Sequence, residues 1–208
     1  MCVWDRHHGD LVREGRAGPG RPRLPGVETH MGSLELVAAL DRPDLLASPV
    51  GAALASLDGM LPAGDVGVAE IDPELADTAE FCERYRISLA ESANCVVVSG
   101  RRGGETRFAA CVVLATTRAD VNGVVRRQLD VRKASFAPME VAVAETAMEY
   151  GGITPIGLPD GWPVFLDAAV AVAPQVVIGS GVRRSKLVLS GDTLRRLPGV
   201  TVLEALGR

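Results

Sequence analysis

The stretch from Asn94 to Ala115, where two valine-rich runs flank Arg101-Arg102-Gly103-Gly104, constrains the fold most. β-Branched residues on either side of paired glycines favour two extended segments joined by a tight turn, because glycine adopts the positive φ that such turns require. The spacing predicts antiparallel neighbours at about 94–99 and 107–115. A hairpin here argues against a doubly wound parallel sheet, where helices separate consecutive strands.

The rest of the chain agrees with a mixed α/β reading. Apolar residues recur at helical spacing from Leu36 to Leu61, and Pro43 and Pro49 break them into two or three short helices. Val66 to Ile71 reads as a strand. Asp72-Pro73-Glu74 opens a helix to about Tyr85, with Asp72 as N-cap and Pro73 at the first helical position. A helix capped by Asp120 runs through Leu129, a short strand spans 132–136, and a helix from Pro138 ends near Tyr150-Gly151. Strands follow at about 164–167, 175–178 and 186–189, then a helical region from Asp192. These elements lie in one domain over 34–208, since 208 residues suit a single core. Residues 1–33, with Gly18-Pro19-Gly20, Pro22 and Pro25 and no apolar period, read as a disordered extension, and Met31 as a candidate natural start.

Composition removes several classes of function. All three histidines, His7, His8 and His30, precede the body, which excludes a Ser-His-Asp triad or His-rich zinc site there. Cys2, Cys82, Cys95 and Cys111 show no CxxC spacing and no secretion signal precedes them, which suits reduced thiols in the cytoplasm. Asp72, Glu74, Asp77, Glu80 and Glu83 form a solvated acidic face without complementary ligands, so no metal is expected, and without a GxGxxG or P-loop motif no cofactor is expected either. The apolar run 164–178 is cut by Asp167 and Pro174, so no membrane span is expected. With 4% aromatics, a broad stacking platform for single strands is excluded and any such contact is local. The net charge of -4 opposes gross binding of nucleic acid, DNA included. Residues 34–91 nevertheless carry 12 acids and 3 bases, and residues 92–208 carry 10 acids and 14 bases. A polyanion would bind the second half.

Two glycine clusters stand out. Gly151-Gly152-Ile153-Thr154-Pro155-Ile156-Gly157-Leu158-Pro159 follows a helix, and such a backbone either turns its N–H groups toward one point or merely makes a tight connection. Gly179-Ser180-Gly181 ends a strand ahead of Val182-Arg183-Arg184-Ser185-Lys186. It suits a phosphate or ribose against the backbone, or a plain turn with a solvated edge.

With Arg132-Lys133-Ala134-Ser135-Phe136-Ala137-Pro138 and the closing Asp192-Thr193-Leu194 and Leu197, these clusters resemble the YbaK/EbsC family over about residues 66–206. Its members are free-standing relatives of the editing domain of bacterial prolyl-tRNA synthetases, with a GxxxP loop that matches Gly151 and Pro155. The resemblance implies a curved, barrel-like mixed sheet with surrounding helices, and hydrolysis in trans of the ester joining a wrong amino acid to tRNA. Backbone at Gly151, Gly152, Thr154 and Pro155 would hold the aminoacyl group, and a ribose hydroxyl would assist water. Gly179, Ser180, Gly181, Arg183 and Lys186 would meet the tRNA 3′ end. The family usually places a lysine where this chain has Asn94, which hydrogen-bonds but carries no charge. Lys186 or Arg183 would then supply charge from a neighbouring strand. The alternative is a catalytically impaired homologue that binds a tRNA end, an aminoacyl-like ligand or a protein. Amino-acid specificity and oligomeric state stay open.

Overall fold

A computed structural model describes residues 29–58, 60–61 and 65–208. The expected extension therefore lies outside the described residues as far as residue 28. Strands β1 (His30–Met31) and β2 (Leu34–Glu35) pair as a small hairpin. Beyond it come β3 (Val37–Ala38), two 3-10 turns ahead of helix α1 (Ser48–Ser56), and β4 (Gly67–Glu70). The helix expected from Asp72 is split. The Asp72 carboxylate accepts from Glu74 N and closes a 3-10 turn at Pro73–Leu75, and Asp77 is extended before α2 (Thr78–Tyr85) begins. That break carries the carbonyl of Ala76 into the candidate site described below.

The hairpin expected around Gly103-Gly104 is present as β5 (Ala93–Arg102) and β6 (Glu105–Leu114), with Arg102 opposite Glu105. A π-helical turn at Val121–Val125 leads into α3 (Arg126–Gln128). Asp120 caps it as expected, accepting from Gly123 N and Val124 N. Strand β7 (Ala134–Phe136) precedes α4 (Met139–Thr146), which stops at Ala147 in a left-handed conformation, earlier than Tyr150. The chain closes with β8 (Val164–Asp167), α5 (Ala168–Ala171), β9 (Val176–Gly179), β10 (Ser185–Leu189), α6 (Gly191–Arg195) and β11 (Val200–Leu203).

The strands form a four-stranded sheet β3-β4-β10-β9 and a five-stranded sheet β11-β8-β6-β5-β7. Period-two alternation builds the layers. Val176, Ile178, Leu187 and Leu189 of one sheet meet Ala110, Val112, Val164 and Leu166 of the other in the central core. Val177 and Val188 face outward onto α2 and the β1–β2 hairpin, while Cys111 and Phe165 pack beneath the segment 121–131. The mixed α/β architecture is as expected, but the barrel-like sheet is not found. Neither sheet closes on itself, because β9 reaches the β5 side only through the single bridge Ser92–Val177. Beyond it the two sheets part and leave a cavity between them. Among the described residues no helix is long and apolar enough to cross a membrane.

Candidate functional site

The parting sheets enclose a cavity of about 550 Å3. Its wall is largely apolar, with Phe81 from α2, Cys95 and Val97 from β5, and Ile178 from β9. Polar groups enter at few points. Lys186 lies on β10, paired on both sides by β4 and β9, and is only 9% exposed. Its Nζ donates to the carbonyl of Ala76 at 2.9 Å and sits 5.3 Å from the centre of the Phe81 ring. Burial, with a smaller contribution from Arg183, pulls its pKa down to about 8, and Asp77 opposes the shift. The ammonium is therefore retained at neutral pH but is unusually ready to lose a proton.

Asn94 faces the same space from β5, and its Oδ1 accepts from the Thr78 hydroxyl at 2.9 Å. The break between the 3-10 turn and α2 is what places Thr78 there. A reading that continues one helix from Asp72 gives no signal for that contact. Gly151 and Ile153 line the opposite wall, and among the described residues their main-chain N–H groups donate to no acceptor. Gly151 is left-handed, with φ of +83°, and a Cβ there would stand 2.5 Å from Arg183 Nη1.

The two glycine clusters pack directly on each other. Gly181 N donates to Gly152 O at 2.7 Å, and Glu149 N donates to Gly181 O at 2.8 Å. A Cβ on Gly179 would come within 2.2 Å of Gly152 O, so no other residue permits this approach. Arg183 straps the contact, its guanidinium donating to Pro73 O and Tyr150 O and lying 3.5 Å from Asp77 Oδ1. Its own N–H donates to the Glu149 carboxylate.

Of the ten residues that the resemblance places in the site, Asn94, Gly151, Gly179 and Lys186 line the cavity. The other six do not border it. Gly152 packs against the main chain of Val182, and Gly181 against Ala47. The buried Ser180 hydroxyl is shared with the hydroxyl and carbonyl of Ser185. Thr154 is fully buried and its hydroxyl has no partner, while Pro155 borders a different cavity beside Trp162. Sequence reasoning also missed Phe81, Phe136 and Tyr150, because nothing in their spacing distinguishes a cavity wall from a core.

No group of three metal-ligating side chains occurs among the described residues. Cys95 borders the cavity, but burial raises its thiol well above the ordinary range, and that of Cys111 is pushed up to about 12. Neither is a thiolate at neutral pH. The cavity thus offers a buried ammonium and an amide–hydroxyl pair, beside a main chain at Gly151 and Ile153 whose N–H groups are uncommitted. Such donors polarise a carbonyl and hold the negative charge that develops on its oxygen.

The profile of the aminoacyl-tRNA editing domain family matches residues 72–197, which include every cavity residue named above. Among solved structures, a candidate trans-editing enzyme for prolyl tRNA synthetase superposes with a TM-score of 0.63 at 22% identity, covering 76% of this chain and 94% of that one. A protein from a study of epitope grafting onto scaffold proteins gives a TM-score of 0.63 at 21% identity, covering 78% of this chain and 96% of that one. At these identities the likeness concerns the fold. No curated protein matches the chain.

Proposed function

The chain belongs to the aminoacyl-tRNA editing domain family, and from that premise we propose that it hydrolyses, in trans, the ester joining a wrongly attached amino acid to tRNA. What carries the reading is the convergence on one histidine-free cavity of the Lys186 ammonium, the Asn94 amide and the main chain of Gly151 and Ile153.

In this reading the aminoacyl carbonyl lies between Lys186 and the Gly151–Ile153 main chain. Water attacks the carbonyl carbon, and these donors take up the charge that develops on the oxygen. The bond to the ribose oxygen then breaks. The proton given up by water passes, by way of the neighbouring ribose hydroxyl, to the departing ribose oxygen, leaving free amino acid and tRNA. The protein supplies position and fixed electrostatics, which suits a wall without a neutral imidazole. Asn94 fixes Thr78 and contacts the substrate, Lys186 provides the charge that Asn94 lacks, and Gly179 and Arg183 border the terminal nucleotide. Gly152, Thr154, Pro155, Ser180 and Gly181 hold the loops in register. The cytoplasm, where charged tRNA is found, is the place of action.

The test is release of amino acid from a panel of mischarged tRNAs. At least one substrate is expected to be cleared, and Lys186→Met should slow its release about a hundredfold, the usual effect of removing one oxyanion donor. A panel that stays intact under prolonged excess protein would refute hydrolysis. Binding without turnover would instead identify the non-hydrolytic homologue that the uncharged Asn94 suggests.

A further inference from the structure

The rim of the cavity carries a second pattern. Of the aromatic residues in the described part of the chain, only Phe136 and Tyr150 are exposed, at 56% and 59%, and both border the cavity. The remaining aromatics are covered or stacked on one another. Phe81 packs on Tyr85, Phe108 stacks on Trp162 with ring centres 4.7 Å apart, and Phe165 is buried. Two uncovered rings at one mouth, in so aromatic-poor a chain, are poorly explained by core packing.

Charge is distributed unequally around that mouth. On the Tyr150 side, the Arg183 guanidinium lies 3.5 Å from the Asp77 carboxylate, and the Glu149 carboxylate accepts from the Arg183 main-chain N–H. On the Phe136 side, Arg132 and Lys133 stand immediately before β7. Arg101 follows Gly100, the residue of β5 that pairs with Ala134. All three are exposed, and among the described residues none has an acidic partner. The nearby Asp130 is already taken by Arg102 and Arg107.

We propose that Phe136 and Tyr150 stack on unpaired nucleobases, and that Arg132, Lys133 and Arg101 bind the phosphates of the same strand as it leaves the cavity over Phe136. The partner is single-stranded RNA at a 3′ end. The proposal rests on the editing function, since a substrate ester on a terminal ribose brings such a strand to this mouth.

The test uses uncharged RNA, so that binding is read apart from hydrolysis. A hairpin RNA ending in four unpaired 3′ nucleotides and the same hairpin made blunt are titrated by fluorescence anisotropy over a range of salt. The wild-type protein should prefer the unpaired end. Phe136→Ala should weaken that binding roughly five- to a hundredfold, the range for losing one stacked base. The double variant R132E/K133E should reduce the slope of log affinity against log salt by about 1.4, the effect of two phosphates on a single strand. These side chains are exposed, and circular dichroism verifies that each variant is folded. Equal affinity for both hairpins, no binding by the wild type, or an unchanged salt slope together with an unchanged Phe136→Ala affinity would overturn the proposal. Hydrolysis by a protein that fails these binding tests would leave the editing function standing and remove this surface. The expected binding losses in a protein that never hydrolyses its substrates would do the reverse.

Discussion

Lys186 makes the stability of this protein depend on pH in a window where most proteins show little change. Its pKa is about 8 in the folded state, against 10.5 for an ordinary lysine, because burial in the sheet penalises the ammonium. Below about pH 8 both states carry the charge, and the folded state bears the whole penalty. Between about 8 and 10.5 the unfolded chain holds a proton that the folded one has released, so stability rises with pH. The difference of 2.5, at 1.36 kcal/mol for each, amounts to about 3 kcal/mol over the window. Other groups titrate there too, so the measurement is a difference between wild type and Lys186→Met, each unfolded in urea at half-unit steps from pH 7 to 11. Methionine keeps most of the stem volume. It leaves the Ala76 carbonyl without its donor, but that cost is the same at every pH. The wild-type advantage over the variant should climb by about 3 kcal/mol between the two ends of the series. A difference that stays flat, or falls as pH rises, would show that the ammonium is not buried as described and would remove its role at the carbonyl.

Two further outcomes follow from the packing. Gly179→Ala would drive a Cβ to 2.2 Å from Gly152 O and 2.6 Å from Ile153 O, so it should destabilise by about 3 kcal/mol or more. Gly103→Ala, with φ of +61° and open space around it, should cost only about 1 kcal/mol, and urea midpoints for the pair give the comparison. Equal costs would mean that the two glycine clusters do not touch. Thr154→Val replaces a fully buried, unpartnered hydroxyl by a methyl group and should raise stability by about 1 kcal/mol, whereas a loss in the same urea assay would reveal a partner for that hydroxyl.

What the sequence discloses follows from how far each signal reaches along the chain. The β5–β6 hairpin is encoded within twenty residues by valines and two glycines, and its turn falls where expected. Helix ends are set locally. The Asp72 carboxylate closes a 3-10 turn and Asp77 is extended ahead of α2, so a segment that reads as one helix folds in two pieces, and the Ala76 carbonyl becomes free to accept Lys186. The parallel strand β11 pairs with β8 across more than thirty residues, and four residues of which only Leu203 is buried give no local sign of that register. The expected barrel fails for a similar reason. Closure would need a ladder between β9 and β5, yet only Ser92 and Val177 bridge, which no pattern within either strand records.

The same limit governs how Asn94 and Lys186 are read. Along β5, Asn94 is only an uncharged amide. Read across the fold, β5 and β10 border one cavity, and a charge there can be supplied from either wall. The supply from β10 has a cost that the other wall would also impose, since an ammonium in this cavity is desolvated wherever its stem is rooted. Placing Lys186 on a central strand fixes its stem between two hydrogen-bonded neighbours, and the Ala76 carbonyl and the Phe81 ring then orient the nitrogen. Asn94 meanwhile holds Thr78 instead of repelling a second cation. With two ammonium groups in the cavity, each would push the other toward its neutral form and weaken the hold on a developing oxyanion. One buried lysine opposite an uncharged amide is therefore an internally consistent arrangement, which leaves the single ammonium charged at neutral pH.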